Sequence, residues 1–358
     1  MKRAITITIL ACIAAIIVFA YFHHRKLVKL REAFDAPSPA PATTTSTPPS
    51  SQISSSEPAA PDLVHQLPAG ASAVVFMDVA ALRSSSFANE LANLAPTSAE
   101  DPAYTEFVRD TGFDYSRDLD RAAVDLWPQT SSTSVLALAQ GRFDEAKIER
   151  YALHYGRLVK IHNRKVYEVR EENSTRLIHF TFLSPTEIAL ADGPDLSQVL
   201  GTTNSTRLDS QMSERVALVS GTPIYAVART QDLPKDIGLD VSHSAQLAGL
   251  LRSVHAISAS GRPAENNLKI FASAECDSTL DALKLSTALQ GLLWIGRAAL
   301  ADPKTQQQIG PQWPGFDALL KAADISHNSR HVELRVEVTP QMMQAMVAVP
   351  ANVAPEQH

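Results

Sequence analysis

The sequence predicts an α+β fold of two lobes, each a mixed, mainly antiparallel sheet with packed helices, behind an N-terminal transmembrane helix. Three observations predict it. Short apolar runs bounded by glycine, at 72–77 and 134–139, read as buried strands. Segments with apolar residues at helical spacing open on Asp or Pro and stop at Gly or Pro. Four strand-like runs follow one another between Leu158 and Ala191 with no helical pattern between them, as in an antiparallel meander.

In chain order, Leu67-Pro68-Ala69-Gly70 is a turn, and the run 72–77 is the first strand. Asp78 can cap a helix reaching about Leu94, with Val79, Leu82, Phe87, Leu91 and Leu94 on one face. Pro102 suits the first turn of a helix that Gly112 stops. After the strand at 134–139, Phe143-Asp144 opens a helix ending at Gly156. The meander then runs through 158–161, 166–169, 176–182 and 187–191. A second lobe begins after the polar stretch 201–213. It reads as a distant repeat, because Gly70 and Gly221 each introduce a short apolar strand and are each followed by a leucine at the same spacing, Leu82 and Leu233. Strands are expected near 254–260 and 268–274, and Asp277-Ser278 caps the longest helix, which Pro303 ends. A helix at 316–323 precedes His331–Val338, HVELRVEV, whose strict alternation buries one face. Pro340 opens a closing helix.

The start of the chain sets its compartment. Residues 4–22 are nineteen residues without charge, close to the ~20 that a membrane-spanning helix needs. Lys2 and Arg3 precede them as in an export signal. An uncleaved anchor is expected, since the apolar run continues through Val18-Phe19-Ala20, the one site for cleavage, into Tyr21 and Phe22. Cys12 falls too early in that run for a lipoprotein signal. The basic flank Arg25, Lys26, Lys29 and Arg31 favours a cytoplasmic C-terminus, and the signal-like start and the next segment favour export. The expectation is a single-pass inner-membrane protein with its C-terminal domain in the periplasm.

The organisation is therefore an anchor with basic flank over 1–34, a Ser/Thr/Pro linker over 35–61, lobes at 62–205 and 206–349, and a tail at 350–358. The linker buries too little apolar surface to fold, and its prolines favour extended geometry. Past the first 35 residues, 26 basic side chains face 36 acidic ones, a net −10. So acidic a chain without a basic stripe is a poor nucleic-acid binder. Cys276 is alone beyond the anchor, so it is expected to be buried and inert.

Asp114, Ser116, Asp118, Asp120 and Asp125 fall at ligand positions of a calcium-loop template. Leu119 stands where that loop needs glycine, and Asp125 where it needs a bidentate glutamate, so the stretch reads as a capped turn and no metal or other cofactor is expected. His327 and His331 lie in a loop leading into a strand, without the helix that would aim both at one metal. No nucleophile elbow, phosphate loop or dinucleotide fingerprint is present, so an enzyme is not the leading expectation.

With the anchor and linker, Gly112-Phe113-Asp114-Tyr115-Ser116-Arg117-Asp118-Leu119-Asp120 and the later Gly141-Arg142-Phe143-Asp144 resemble a group of uncharacterised bacterial membrane-anchored envelope proteins. The resemblance covers the first lobe and implies export in a bacterium, with no activity.

The helix at 280–300 is apolar almost all round. It is expected to be a core helix, with Leu283, Leu289 and Leu293 buried. The competing expectation makes those leucines the wall of a groove for an apolar ligand such as a lipid. Taken together, these observations predict a non-catalytic, membrane-tethered binding or assembly protein that contacts another envelope protein, with a lipid carrier or sensor as the alternative.

Overall fold

The computed structural model describes residues 63–94, 102–128, 133–170, 177–192, 196, 208–232, 249–304, 306 and 313–347. The anchor, the linker, the tail and the expected lobe boundary at 205–206 lie outside them. No helix among the described residues is long and apolar enough to cross a membrane.

Among the described residues twelve strands form one sheet. They are β1 (Ala73–Asp78), β2 (Leu119–Pro128), β3 (Thr133–Gly141), β4 (Gly156–Ile161), β5 (Arg164–Arg170), β6 (Leu177–Ser184), β7 (Glu187–Asp192), β8 (Ile224–Arg229), β9 (Val254–Ala264), β10 (Asn267–Cys276), β11 (Asp324–Asn328) and β12 (His331–Val338). Their order is β11-β12-β10-β9-β8-β1-β2-β3-β7-β6-β5-β4. Every pairing among them is antiparallel, so the fold is α+β on one large antiparallel sheet. The expected mixture of strand directions is not found among the described residues. Nor do the two lobes hold separate sheets: β1 pairs with β8, from Ala73 opposite Ala228 to Met77 opposite Ile224, and makes the halves continuous.

The helices whose full extent lies among the described residues are α1 (Val79–Arg83), α2 (Ser86–Leu94), α3 (Pro102–Thr111), α4 (Tyr115–Asp118), α5 (Glu145–Tyr155), α6 (Ser210–Val219), α7 (Thr279–Leu300), α8 (Trp313–Ala322) and α9 (Pro340–Val347). Side chains alternate between sheet faces along a strand, so the core divides by residue parity. On one face, Val74, Ala123, Leu136, Leu138, Val166, Ala189, Tyr225 and Val227 are covered by α6 and the 3-10 turn Leu63–Gln66. On the other, α5 covers Tyr167, Phe180 and Ile188, α1 and α2 pack with Met77, and α7 covers Cys276 and Val332.

Local chemistry accounts for the boundaries. Asp78 accepts the Ala81 N–H at 2.8 Å and starts α1; Ser84 and Ser85 then bond to carbonyls of the preceding turn, and the helix expected as far as Leu94 breaks into α1 and α2. Asp144 accepts the Lys147 N–H at 3.1 Å to cap α5. Gly70 and Gly221, each just before a central strand, have φ of 97° and 96°. Beyond those glycines β1 and β8 span equal lengths at equal offsets. Among the described residues, each is followed by two further antiparallel strands, then by one helix and four strands in the first half or two helices and two strands in the second, the last strand returning to pair with the third.

Candidate functional site: the outer face of the long helix

Ser278 starts α7. Its Oγ accepts the Asp281 N–H at 3.1 Å and donates to Asp281 Oδ2 at 2.5 Å. At its other end Arg297 turns inward, donating to the Leu320 and Ala323 carbonyls at 2.9 Å each and so satisfying the last turn of α8. Ala282, Leu285, Ser286 and Leu300 form the buried side, and Leu289 packs beside them against Val254, Cys276 and Val332. The opposite side carries Leu280 at 57 % exposure, Leu283, Leu292, Trp294 at 70 % and Ile295 at 57 %. Thr287, Gly291 and Ala298 lie between them and are also exposed. The ionic side chains on that arc are Lys284 and, at its margin, Asp281, which lie 3.8 Å apart.

This corrects the expectation for the helix. It is buried along one side, against the strands at one end of the sheet, and bare along the other. Leu283 is exposed, whereas Leu289 is partly buried in the core; at 100° per residue the two point about 120° apart. Leu283 therefore lies outside the core into which Leu289 packs, and Leu293, partly buried, points between them. The contrast is measurable. Leu285→Ala should cost about 2–5 kcal/mol in chemical denaturation, while Leu283→Ala should stay within about 0.5 kcal/mol of the native chain. Equal losses at the two positions would mean that the helix is covered on both sides.

The acidic residues resolve differently. Asp114 caps α4, its Oδ1 accepting the Ser116 N–H at 2.8 Å and the Ser116 hydroxyl at 2.6 Å. Asp118 accepts the Asp114 N–H at 3.0 Å and Arg117 Nη2 at 2.6 Å, with Arg142 Nε 3.4 Å away. Burial pushes the Asp118 carboxyl up, but its hydrogen bonds to Arg117 and the Asp114 amide and the charges of Arg117 and Arg142 leave it below its ordinary value. Asp120 faces Arg83 of α1 at 3.8 Å. Asp125 lies further along β2, between Val74 and Leu136, and is fully buried. The five side chains thus do not converge on one point, and arginines occupy the space beside Asp118 where a cation would sit. β2 itself begins at Leu119, so the second half of the calcium template is strand.

The two motifs behind the family resemblance meet in space. Phe113 stacks on Phe143 with ring centroids 5.0 Å apart, and the Arg142 N–H donates to the Asp118 carbonyl at 2.8 Å. Arg142 also donates from its guanidinium to the Arg117 carbonyl. Their role here is to lock the turn before β2 onto the end of β3.

The histidines at 327 and 331 sit on β11 and β12 and serve opposite faces: His327 is 3.4 Å from Ser286 of α7, and His331 is 3.4 Å from Ser273 of β10. Cys276 is buried under α7, and burial pushes its thiol up, reinforced by Asp281, Asp277 and Glu275. Sequence reasoning singled out the apolar wealth of α7 but missed which side is bare. The available signal was the near-absence of charge between Leu280 and Ala298.

No protein-family model matches this chain, and no curated protein does. Among solved structures, crystal forms III and I of TP0453 are similar to it, with TM-scores of 0.46 and 0.43 and sequence identities of 9 % and 11 %. The alignments cover 79 % and 81 % of this chain and 96 % and 97 % of TP0453.

Proposed function

We propose that the chain is a non-catalytic, membrane-tethered binding or assembly protein of the bacterial cell envelope, held by residues 4–22 in the inner membrane with its folded part in the periplasm. The observation that carries the reading is the bare face of α7. Leu280, Leu283, Trp294 and Ile295 recur at the spacing with which an amphipathic helix enters a groove of a partner protein. An exposed tryptophan flanked by aliphatic side chains is the composition of an interface anchor. Burial of such side chains is worth about 25 cal/mol per Å² of apolar surface. The partner proposed is another envelope protein with an apolar groove. The tether supports this by keeping both proteins in one compartment, which raises the effective concentration of one for the other. A lipid carrier has less support, because Leu289 packs into the core and Leu293 is partly buried, leaving Leu283 as the exposed one of the three leucines proposed to wall its groove.

The two halves are further proposed to be copies of one ancestral unit. The matched glycines, the equal spans of β1 and β8 and the return of the last strand of each half to its third support it.

A photo-crosslinking amino acid placed at position 294 of the full chain in intact cells tests the function. It should yield an adduct with one exported protein, lost in an Ile295→Asp background that leaves the melting temperature unchanged. An adduct only with lipid, or only with a cytosolic protein, would overturn the proposal.

A further inference from the structure

We infer that the open edge of β4 accepts an extended acidic segment of a partner protein as an added strand. β4 ends the sheet and pairs with β5 alone. Ile161 and Arg164 flank a two-residue turn in which His162 and Asn163 have φ of 47° and 66°. Positive φ at both positions is the turn that matches strand twist, and the residues flanking it exchange both hydrogen bonds. Pairing alternates from there, so Ile161, Val159 and Arg157 bond to β5. The N–H and C=O groups of Leu158 and Lys160 then point away from the sheet. Among the described residues they have no hydrogen-bond partner on that side.

The side chains around this edge specify what it fits. Leu158, Leu153 and Tyr155 are large, apolar and exposed beside it. From Arg150 to Tyr167 the chain has Arg150, Arg157, Lys160, Arg164 and Lys165 and no acidic residue, in a protein that is otherwise net acidic. Glu168 pairs with Arg157, and Glu149 lies 3.1 Å from Lys165, while Lys160 and Arg164 have no ion pair among the described residues. A second copy would bring two basic strands side by side, which is repulsive. An acidic segment with alternating apolar residues satisfies both the backbone and the side chains. In strand addition the main-chain bonds give affinity and the alternating side chains give specificity.

The test uses the full chain in dodecyl maltoside micelles with two fluorescein-labelled peptides, one of alternating valine and glutamate and one of alternating valine and lysine. Fluorescence anisotropy should show saturable binding of the acidic peptide, at least about tenfold tighter than the basic one. Leu158→Pro removes an outward N–H while keeping the bonds to β5, a position where an edge strand tolerates proline. It should weaken binding of the acidic peptide at least about tenfold. Lys160→Glu, which leaves the backbone untouched, should shift the preference toward the basic peptide. Lysine on an edge can also serve only to repel other strands. In that case the native chain binds neither peptide, and the inference is overturned. It is overturned equally if Leu158→Pro folds and binds as before, or if sedimentation shows that the edge pairs copies of the chain.

Discussion

Asp125→Asn should stabilise the protein, and by more at pH 7 than at pH 5. Asp125 is fully buried in the middle of the sheet, and neither carboxyl oxygen has a well-formed hydrogen bond. Burial pushes its pKa from 3.8 to about 8, against a smaller downward pull from the Leu126 amide and the Arg229 guanidinium. Arg229 is itself committed elsewhere, donating to Asp209 Oδ2 at 3.0 Å and to the Ala71 carbonyl at 2.6 Å. Between the unfolded and folded values, the native state holds a proton that the unfolded chain has released. Stability therefore falls as pH rises through that window, by about 1.4 kcal/mol per pH unit. Asparagine has nearly the same shape and nothing to ionise. The gain should grow from about 1–2 kcal/mol at pH 5 to about 4 kcal/mol at pH 7. Denaturation of both chains at the two pH values measures it. A gain independent of pH, or a loss, would mean that the carboxylate is ionised and paired in the native state.

Gly141→Ala should have an effect of similar size and opposite sign. Gly141 faces Leu119 across β2 and β3. A Cβ there would overlap the Asp118 carbonyl oxygen and stand 3.2 Å from its carbon and 3.3 Å from the Leu119 Cα. All three neighbours are backbone atoms, so no rotamer change relieves the clash. β3 would have to move off the α4–β2 turn, straining the Arg142 N–H bond to Asp118 at 2.8 Å and the Gly141 N–H bond to Thr186 at 3.0 Å. The expected loss is about 3–4 kcal/mol, near the top of the range for single substitutions. Gly291→Ala is the control. A Cβ on that exposed turn of α7 meets nothing within 4 Å, and the change should be neutral or stabilising by up to about 1 kcal/mol. A loss at Gly141 below about 1 kcal/mol would show that the turn yields.

The sequence carried those features whose cause is local. Asp78, Asp144 and Ser278 cap helices as their residue types require, and the alternation of His331–Val338 becomes β12 with Val332, Val336 and Val338 buried. The meander lies within a few residues of its expected bounds. What was illegible depended on partners distant in the chain. β2 escaped notice because Asp120, Arg121 and Asp125 break its apolar pattern; Asp125 lies in the core only because α6 and the first 3-10 turn cover that face. α6 begins inside the stretch 201–213 that reads as polar, which masked its start. β11 is too short and polar to register without β12 beside it. For α7, composition gave the amount of apolar surface but not its coverage. One sheet face can bury only one side of a helix, and no described element lies over the other. The edge of β4 likewise follows from strand order, which no single segment encodes.

The pairing of β1 with β8 also has a consequence for how the chain is made. β1 is a short apolar strand, with Val74, Val75 and Phe76 at its centre. β2 supplies one neighbour early, but the other neighbour, β8, is not synthesised until Ile224. At about 5–20 residues per second, the interval between them lasts on the order of ten seconds or more. Throughout it, an N-terminal half that has already folded presents a mainly apolar strand edge, charged only at its terminal Asp78, at what will become the middle of the sheet. Such an edge recruits any strand that reaches it first. The nascent chain must therefore stay unfolded, or be shielded by a chaperone, until its second half arrives.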